Sequence, residues 1–440
     1  MRFSMISAGA LSLLAFAAAP AVAQTTTLTI GTVNNSDMIR MQGLTPEFEK
    51  QHPNIKINWV TLEENILRQR VTTDIATKGG QFDIMTIGTY EVPIWAKNNW
   101  LAPLKFDDSY DVNDLLPPIK NALTYNDKLY AAPFYGESVM TLYRKDLFQK
   151  AGLTMPEHPT WDFIAKAAKA TTDKSKGIYG ICLRGKPGWG ENMAFLGNMA
   201  REFGANYFDA NWKPQFESEG WKKAVNLYVD LMTKYGPPGA ASNGFNENLS
   251  LFGQGKCAMW IDATVAASFV TDPKQSQVPD KVGFAPAPCG VKDCPNKGEN
   301  WLWAWSLAIP ASSNKKDAAE TFIAWATSKE YTDLVAKKDG WANVPPGTRT
   351  SLYKNDKYTS AAPFAKETLN AIQNADPAPT KDKPYYGLQF AAIPEFQGLG
   401  TAVGQQMAAA LSGSKSVDAA LKASQDQAER TMSRAGYGKK

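Results

Sequence analysis

LTIGTV (Leu28–Val33), a helical stretch from Met38 to Lys50, IKINWV (Ile55–Val60), a second helical stretch from Glu63 to Thr77, and FDIMTIG (Phe82–Gly88) follow one another near the start of the chain. In IKINWV the residues Ile55, Ile57 and Trp59 fall on one face, the alternation of a half-buried strand. Gly79-Gly80-Gln81 breaks the second helix, and FDIMTIG then reads as a strand buried on both faces. A further helix is expected over Val92–Asn98. This βαβαβ order predicts a mainly parallel sheet with right-handed crossovers, covered by helices. Ligands of such sheets bind beyond the carboxyl ends of the strands. Those ends are Asn34-Asn35-Ser36, Thr61-Leu62-Glu63 and Gly88-Thr89-Tyr90-Glu91, each carrying hydrogen-bonding side chains.

A second α/β block follows Tyr135. VMTLYRKDLF (139–148) leads towards a helix capped near Thr160, and IYGICL (178–183) reads as a strand. Glu219–Lys234 is amphipathic, with Trp221, Val225, Tyr228 and Met232 on one stripe, and Gly236-Pro237-Pro238 terminates it. CAMWID (257–262), KVGFAPAP (281–288) and WLWAWSLAIP (301–310) are further strands. Helices are expected from about Asp317 to Ala326, and then over Pro363–Asn374, Glu395–Leu411 and Val417–Ser433. No internal repeat or low-complexity linker separates the blocks, so the chain is expected to form two lobes that it crosses several times.

A length of 440 residues allows two or three domains. With 44% hydrophobic and 20% charged residues, disorder, collagen and coiled coil are excluded. Lys+Arg 47 against Asp+Glu 43 is too balanced to imply a nucleic-acid partner, and 2 His leave almost no room for histidine-based metal chemistry. The first residues combine Arg2, an apolar run around Leu11–Ala19 and a small-residue A-V-A ending at Ala23. That is the pattern of a cleavable signal peptide over residues 1–23, with no Cys after the cut to take a lipid. Export suits disulfides. Cys289 and Cys294 bracket the turn-like G-V-K-D and are expected to pair, whereas Cys182 and Cys257, each in an apolar strand-like segment, either pair or stay as buried thiols.

Enzyme motifs fail: there is no H-E-x-x-H, no G-K-[ST] and no G-x-S-x-G. Ser312-Ser313-Asn314-Lys315 matches S-x-x-K, but without its partner motifs it is better explained by helix capping. The 13 Trp are the unusual number. A sugar or sugar alcohol offers C–H faces that stack on Trp or Tyr, and hydroxyls that need the planar donors and acceptors of Asp, Glu, Asn and Arg. Trp303, Trp260, Trp189, Tyr90 and Tyr135 fall near strand ends or loops, in company with Asn35, Glu63, Glu137, Arg184 and Asp262.

Residues 45–104 (TPEFEKQHPNIKINWV onward to NNWLAPL), LYAAPFYGESVMTLYRKDLFQKAG, FGQGKCAMWIDAT, SLAIPASSNKKDAAETFIAWATS and GWANVPPGTRTSLYKN together resemble the extracellular solute-binding proteins of ABC sugar transporters. The combination NNSDMIRMQGLTPEF, VTLEENILRQRVTTDIATKGG and IGTYEVPIW is most similar to the sorbitol/mannitol (polyol) binding proteins. The resemblance implies an α/β, two-lobed periplasmic-binding-protein fold of type II, each lobe a mainly parallel sheet with flanking helices and the ligand cleft between them. It divides the chain into lobe 1 over 24–135, lobe 2 over 136–300, a lobe 1 return over 301–348 and lobe 2 helices over 349–440. The implied function is that of a monomeric periplasmic receptor without catalysis or cofactor, which binds a linear polyol or monosaccharide and docks on an inner-membrane permease. A disaccharide or oligosaccharide receptor is the alternative, and a secreted carbohydrate-active enzyme using Glu137 and Asp262 a more distant one. The implied ligand set is Asn34, Asn35, Glu63, Tyr90, Glu91, Tyr135, an ionised Glu137, Arg184, Trp189, Trp260, Asp262, Trp303 and Arg349, with no metal. Glu64 is assigned to a capping box with Thr61.

Overall fold

The computed structural model describes residues 25–290 and 298–438. The expected signal peptide lies outside these residues, as does Cys294 of the expected Cys289–Cys294 pair; Cys289 is itself disulfide-bonded.

The first unit follows the order expected: β1 (Thr26–Val33), α1 (Ser36–Gln51), β2 (Ile55–Leu62), α2 (Glu64–Thr77), β3 (Ile84–Ile87), α3 (Glu91–Lys97) and the short β4 (Leu101–Ala102). β1 pairs in parallel with both β2 and β3. Leu28 and Ile30 of β1 are buried in the same core as Met38, Met41, Leu44 and Phe48 of α1, whose spacing of three and four puts them on one helix face. Next come β5 (Ala131–Glu137) and β6 (Val139–Arg144), separated by one residue, Ser138.

Beyond them lie α4 (Trp161–Thr171), α5 (Asn192–Glu202), α6 (Glu219–Tyr235), α7 (Phe245–Gly253), β7 (Met259–Ala263), β8 (Val282–Pro286), β9 (Trp303–Pro310), α8 (Lys316–Ala326), α9 (Phe396–Leu411) and α10 (Val417–Ala435). Thr160 caps α4 through a 3.2 Å bond from the Phe163 amide, and the Trp221, Val225, Tyr228 and Met232 stripe of α6 is buried as its spacing predicts.

Two sheets result. The six-stranded sheet runs β2-β1-β3-β9-β4, with β5 also on β9, and β9 is antiparallel to its three partners. The three-stranded sheet runs β8-β6-β7. Ser138 is therefore a crossing point: its amide takes the Thr264 hydroxyl oxygen at 3.1 Å and its carbonyl the Thr264 amide at 2.8 Å.

The mainly parallel sheet expected for the second lobe is corrected, because both pairings of its named strands are antiparallel. β6 follows β5 after one residue but does not pair with it; its neighbours β7 and β8 both run opposite to it. The parallel contacts survive as isolated bridges, Tyr179 to Cys257 and Cys182 to Trp260, so IYGICL contributes single bridges rather than a strand. Those bridges hold Cys182 and Cys257 with their Cα atoms 5.9 Å apart, and the two form a disulfide. Of the two alternatives open for this pair, the structure takes the bonded one.

Candidate ligand-binding site

β5 and β9 pair with Tyr135 opposite Trp305 and Glu137 opposite Trp303. Directly opposed residues point to the same side of a sheet, and residues two apart in a strand share a face. One face of this ribbon therefore presents Tyr135, Glu137, Trp303 and Trp305 as a wall, which Trp301 extends. The wall lines a cavity of about 80 Å³ between the two sheets.

The strand ends of the first sheet supply the next side. Asn35 caps α1, its Oδ1 accepting from the Met38 amide at 2.9 Å, while its Nδ2 donates to the Tyr135 hydroxyl at 3.1 Å. α2 is capped by Glu63, whose Oε2 accepts from the Asn65 and Ile66 amides at 3.0 and 3.4 Å. This corrects the expected Thr61–Glu64 capping box. Because Glu63 occupies the cap, Glu64 begins the helix and lines the cavity, four residues before Arg68, which donates to it from both Nε and Nη2.

The opposite side is an irregular segment, residues 184–191, together with the first turn of α7. Arg184 is buried, donating to Asp262 through Nε and Nη2 and to the Gly190 carbonyl through Nη1 at 2.8 Å. Gly190 is required here: a Cβ at this position would lie 2.0 Å from Glu64 Oε1. The two sides also touch directly. Lys186 Nζ reaches Glu63 Oε1 at 2.6 Å, Asn65 Nδ2 donates to the Pro187 carbonyl at 3.2 Å, and Asn246 Nδ2 to the Asn34 carbonyl at 3.3 Å.

Glu137 differs from its acidic neighbours. It is 7% exposed, yet no donor among the described residues bonds its carboxyl. Burial pushes its pKa well above the usual carboxylate range; Arg184 pulls it back, while Asp262, Glu64 and Asp37 push it further. The direction of that shift favours the protonated form, which both donates and accepts. Arg144, the cation nearest to Glu137 in the sequence, is engaged elsewhere, with Asp146 at 2.7 Å and the Gly255 carbonyl at 3.1 Å. Glu191, buried 3.7 Å from Arg184, also has its pKa raised, chiefly by burial and then by Glu64.

The cavity thus brings together Asn34, Asn35, Glu63, Tyr135, Glu137, Arg184, Trp189 and Trp303. Five expected residues stand outside it. Tyr90 is buried, donating its hydroxyl to the Ile393 carbonyl at 2.9 Å, and Glu91 holds Arg68 and the Gly88 amide, each at 2.8 Å. Trp260 is fully buried against Phe245 and Phe252. Asp262 accepts from Arg184, from Trp260 Nε1 at 2.9 Å and from the Ala263 amide at 2.6 Å. Arg349 stacks on Tyr110 at 4.7 Å and donates to the Asp111 and Thr327 carbonyls, remote from the cleft.

Sequence reasoning missed Glu64, Arg68, Lys186, Glu191, Phe245, Trp301, Trp305 and Gln389, all of which line the cavity. A signal existed for three of them: alternation along WLWAWS ties Trp301 and Trp305 to the face of Trp303. For Arg68 the signal was its i,i+4 relation to Glu64. Residues 184–191 have no periodicity to extend.

The model of the bacterial extracellular solute-binding protein family matches residues 35–333. A mannitol-binding protein of Pseudomonas aeruginosa is 56% identical over 416 residues, covering 94% of each chain. A crystal structure of an ABC transporter solute-binding protein from Agrobacterium vitis with bound D-mannitol is 66% identical with a TM-score of 0.91, covering 94% of this chain and 100% of that one. A second, from Agrobacterium radiobacter in complex with ribitol, is 26% identical with a TM-score of 0.80, covering 93% and 99%.

Proposed function

Because the chain belongs to the bacterial extracellular solute-binding protein family, we propose that it is the periplasmic receptor of an ABC transporter for a six-carbon linear polyol of the mannitol type. Proteins of this kind work with a membrane permease and bind their solute without transforming it. The observation that carries the reading is the D-mannitol bound by a protein that matches this chain along 94% of its length at 66% identity. The cleft's chemistry supports it. Its room is small, its β5–β9 wall offers indole faces for C–H groups, and Glu137 and Arg184 offer hydrogen bonds for hydroxyls.

Asn35, Tyr135, Glu137, Arg184, Trp189 and Trp303 are the proposed contacts, with Asn34 and Glu63 at the rim. Tyr90, Glu91, Trp260 and Asp262 act behind them, and Arg349 is withdrawn from the site. The lobes are read as 24–135 with 301–348, and 136–300 with 349–440, acting as one monomeric receptor.

Isothermal titration with D-mannitol, D-sorbitol, D-arabitol and maltose tests the assignment. The expected result is a hexitol as the tightest ligand, recovered unchanged. At 100 times its Kd that ligand should stabilise the fold by about 2.7 kcal/mol. Binding of maltose with none of the alditols would overturn the reading.

A further inference from the structure

Arg68 is 3% exposed although it carries a charge and lines the cavity. Its guanidinium carbon lies 4.0 Å from the Trp189 ring centroid, 4.6 Å from that of Trp305 and 4.8 Å from that of Trp303. In addition, the edges of the group are fixed. Nε and Nη2 donate to Glu64 Oε1 at 3.0 and 2.8 Å, and Nη1 donates to Glu91 Oε1 at 2.8 Å. Glu91 is fixed in turn by the Gly88 amide on Oε2 at 2.8 Å. Gly88 cannot be replaced without moving the cage, since a Cβ there would fall 2.1 Å from the Trp303 ring.

These contacts use three of the five N–H groups of a guanidinium. One N–H on each terminal nitrogen has no acceptor among the described residues. Two carboxylates along the edges and three indoles around the group leave the guanidinium no freedom to turn. A planar donor pair of fixed direction loses little entropy when it binds two neighbouring hydroxyls, and it cannot follow a hydroxyl that epimerisation has moved. A lysine ammonium, by contrast, can rotate to meet either epimer.

We propose that Arg68 is a specificity-determining residue of this receptor, a caged donor fork that engages adjacent hydroxyls of the polyol and discriminates among its epimers. The proposal rests on the polyol reading given above. In the competing role, Arg68 would only neutralise Glu64 and Glu91, and its replacement would change stability without changing the order of ligands.

Calorimetric titration of D-mannitol, D-sorbitol and galactitol against the wild type, Arg68→Lys and Glu91→Gln separates these roles. The wild type is expected to spread the three dissociation constants over more than tenfold. Folded Arg68→Lys should compress that spread to within about threefold, and Glu91→Gln, which keeps the arginine but loosens the cage, should fall between the two. An unchanged spread in folded Arg68→Lys overturns the proposal, as does a wild type that binds all three equally. If Arg68→Lys does not fold, Glu91→Gln decides alone, and an unchanged spread there overturns it. A wild type that binds none of the three fails the polyol reading itself, and this inference with it.

Discussion

Glu137, at the end of β5, and Asp262, in β7, are buried acidic residues, one in each main sheet, and sequence reasoning placed both at the ligand. Their surroundings are opposite. Asp262 takes Arg184 on both oxygens, the Trp260 indole and the Ala263 amide. Glu137 takes nothing from the described protein and opens on the cavity. Residue type therefore says which groups can bind a polyol, and unused hydrogen-bonding capacity says which are available to. Asp262 acts at one remove, by holding Arg184 extended along the cavity.

The largest effect should come from the saturated partner. Asp262→Ala strands the buried Arg184 charge, and loss of one member of a buried pair costs about 3–5 kcal/mol. Urea denaturation of the unliganded protein should show this, and a loss under 1 kcal/mol would mean that Asp262 is not the anchor.

Trp303→Ala removes the indole beside Glu137 in the wall and should cost about 2 kcal/mol of affinity in the folded protein. Calorimetry giving wild-type affinity would return Trp303 to the core.

Glu137→Gln keeps the shape of a neutral acid, so about 1 kcal/mol of binding should be lost, the scale of one uncharged hydrogen bond. Its effect on stability has the opposite sign. Burial raises the folded pKa of Glu137 above the 4.5 of the free side chain. Between those two values the unfolded chain has released a proton that the folded one keeps, and stability falls as pH climbs through that window. Glutamine has no such slope, so the variant should melt above the wild type at pH 7, with the gap closing as pH drops below about 4.5. Parallel melting curves across pH would show that Glu137 is not desolvated.

The smallest effect belongs to the rim. Lys186 and Glu63 meet at 2.6 Å, but their side chains keep 26% and 33% of their exposure, so solvent screens the pair. Lys186→Met should cost about 0.5 kcal/mol, read as a roughly twofold faster ligand release by stopped flow, with the difference shrinking in high salt. A tenfold change would make this bridge the main latch between the lobes.

Periodicity made the first sheet legible. The alternation in Ile55–Val60, the buried run of FDIMTIG and the helical spacing of Met38 to Phe48 are local signals, and they hold because burying one face is what forms the element. Capping worked where side chain and helix start are adjacent, as at Thr160, and failed at α2, where Glu63 rather than Thr61 takes the amides. In the second lobe the sequence could name strands but not their direction, because β7 and β8 are brought to β6 from segments far along the chain.

The sequence by itself determined the fold class, the aromatic and carboxylate chemistry of the β5–β9 wall and the family resemblance. Only the tertiary structure decided which polar groups remain free to meet a ligand. Arg184 and Asp262 are 78 positions apart, Arg68 and Glu91 are 23, and Lys186 and Glu63 are 123. Whether a buried carboxylate is satisfied or open depends on donors brought to it by segments that distant in the chain. No local pattern records that, because the desolvation that makes an unpaired group costly exists only once the two sheets have closed around it.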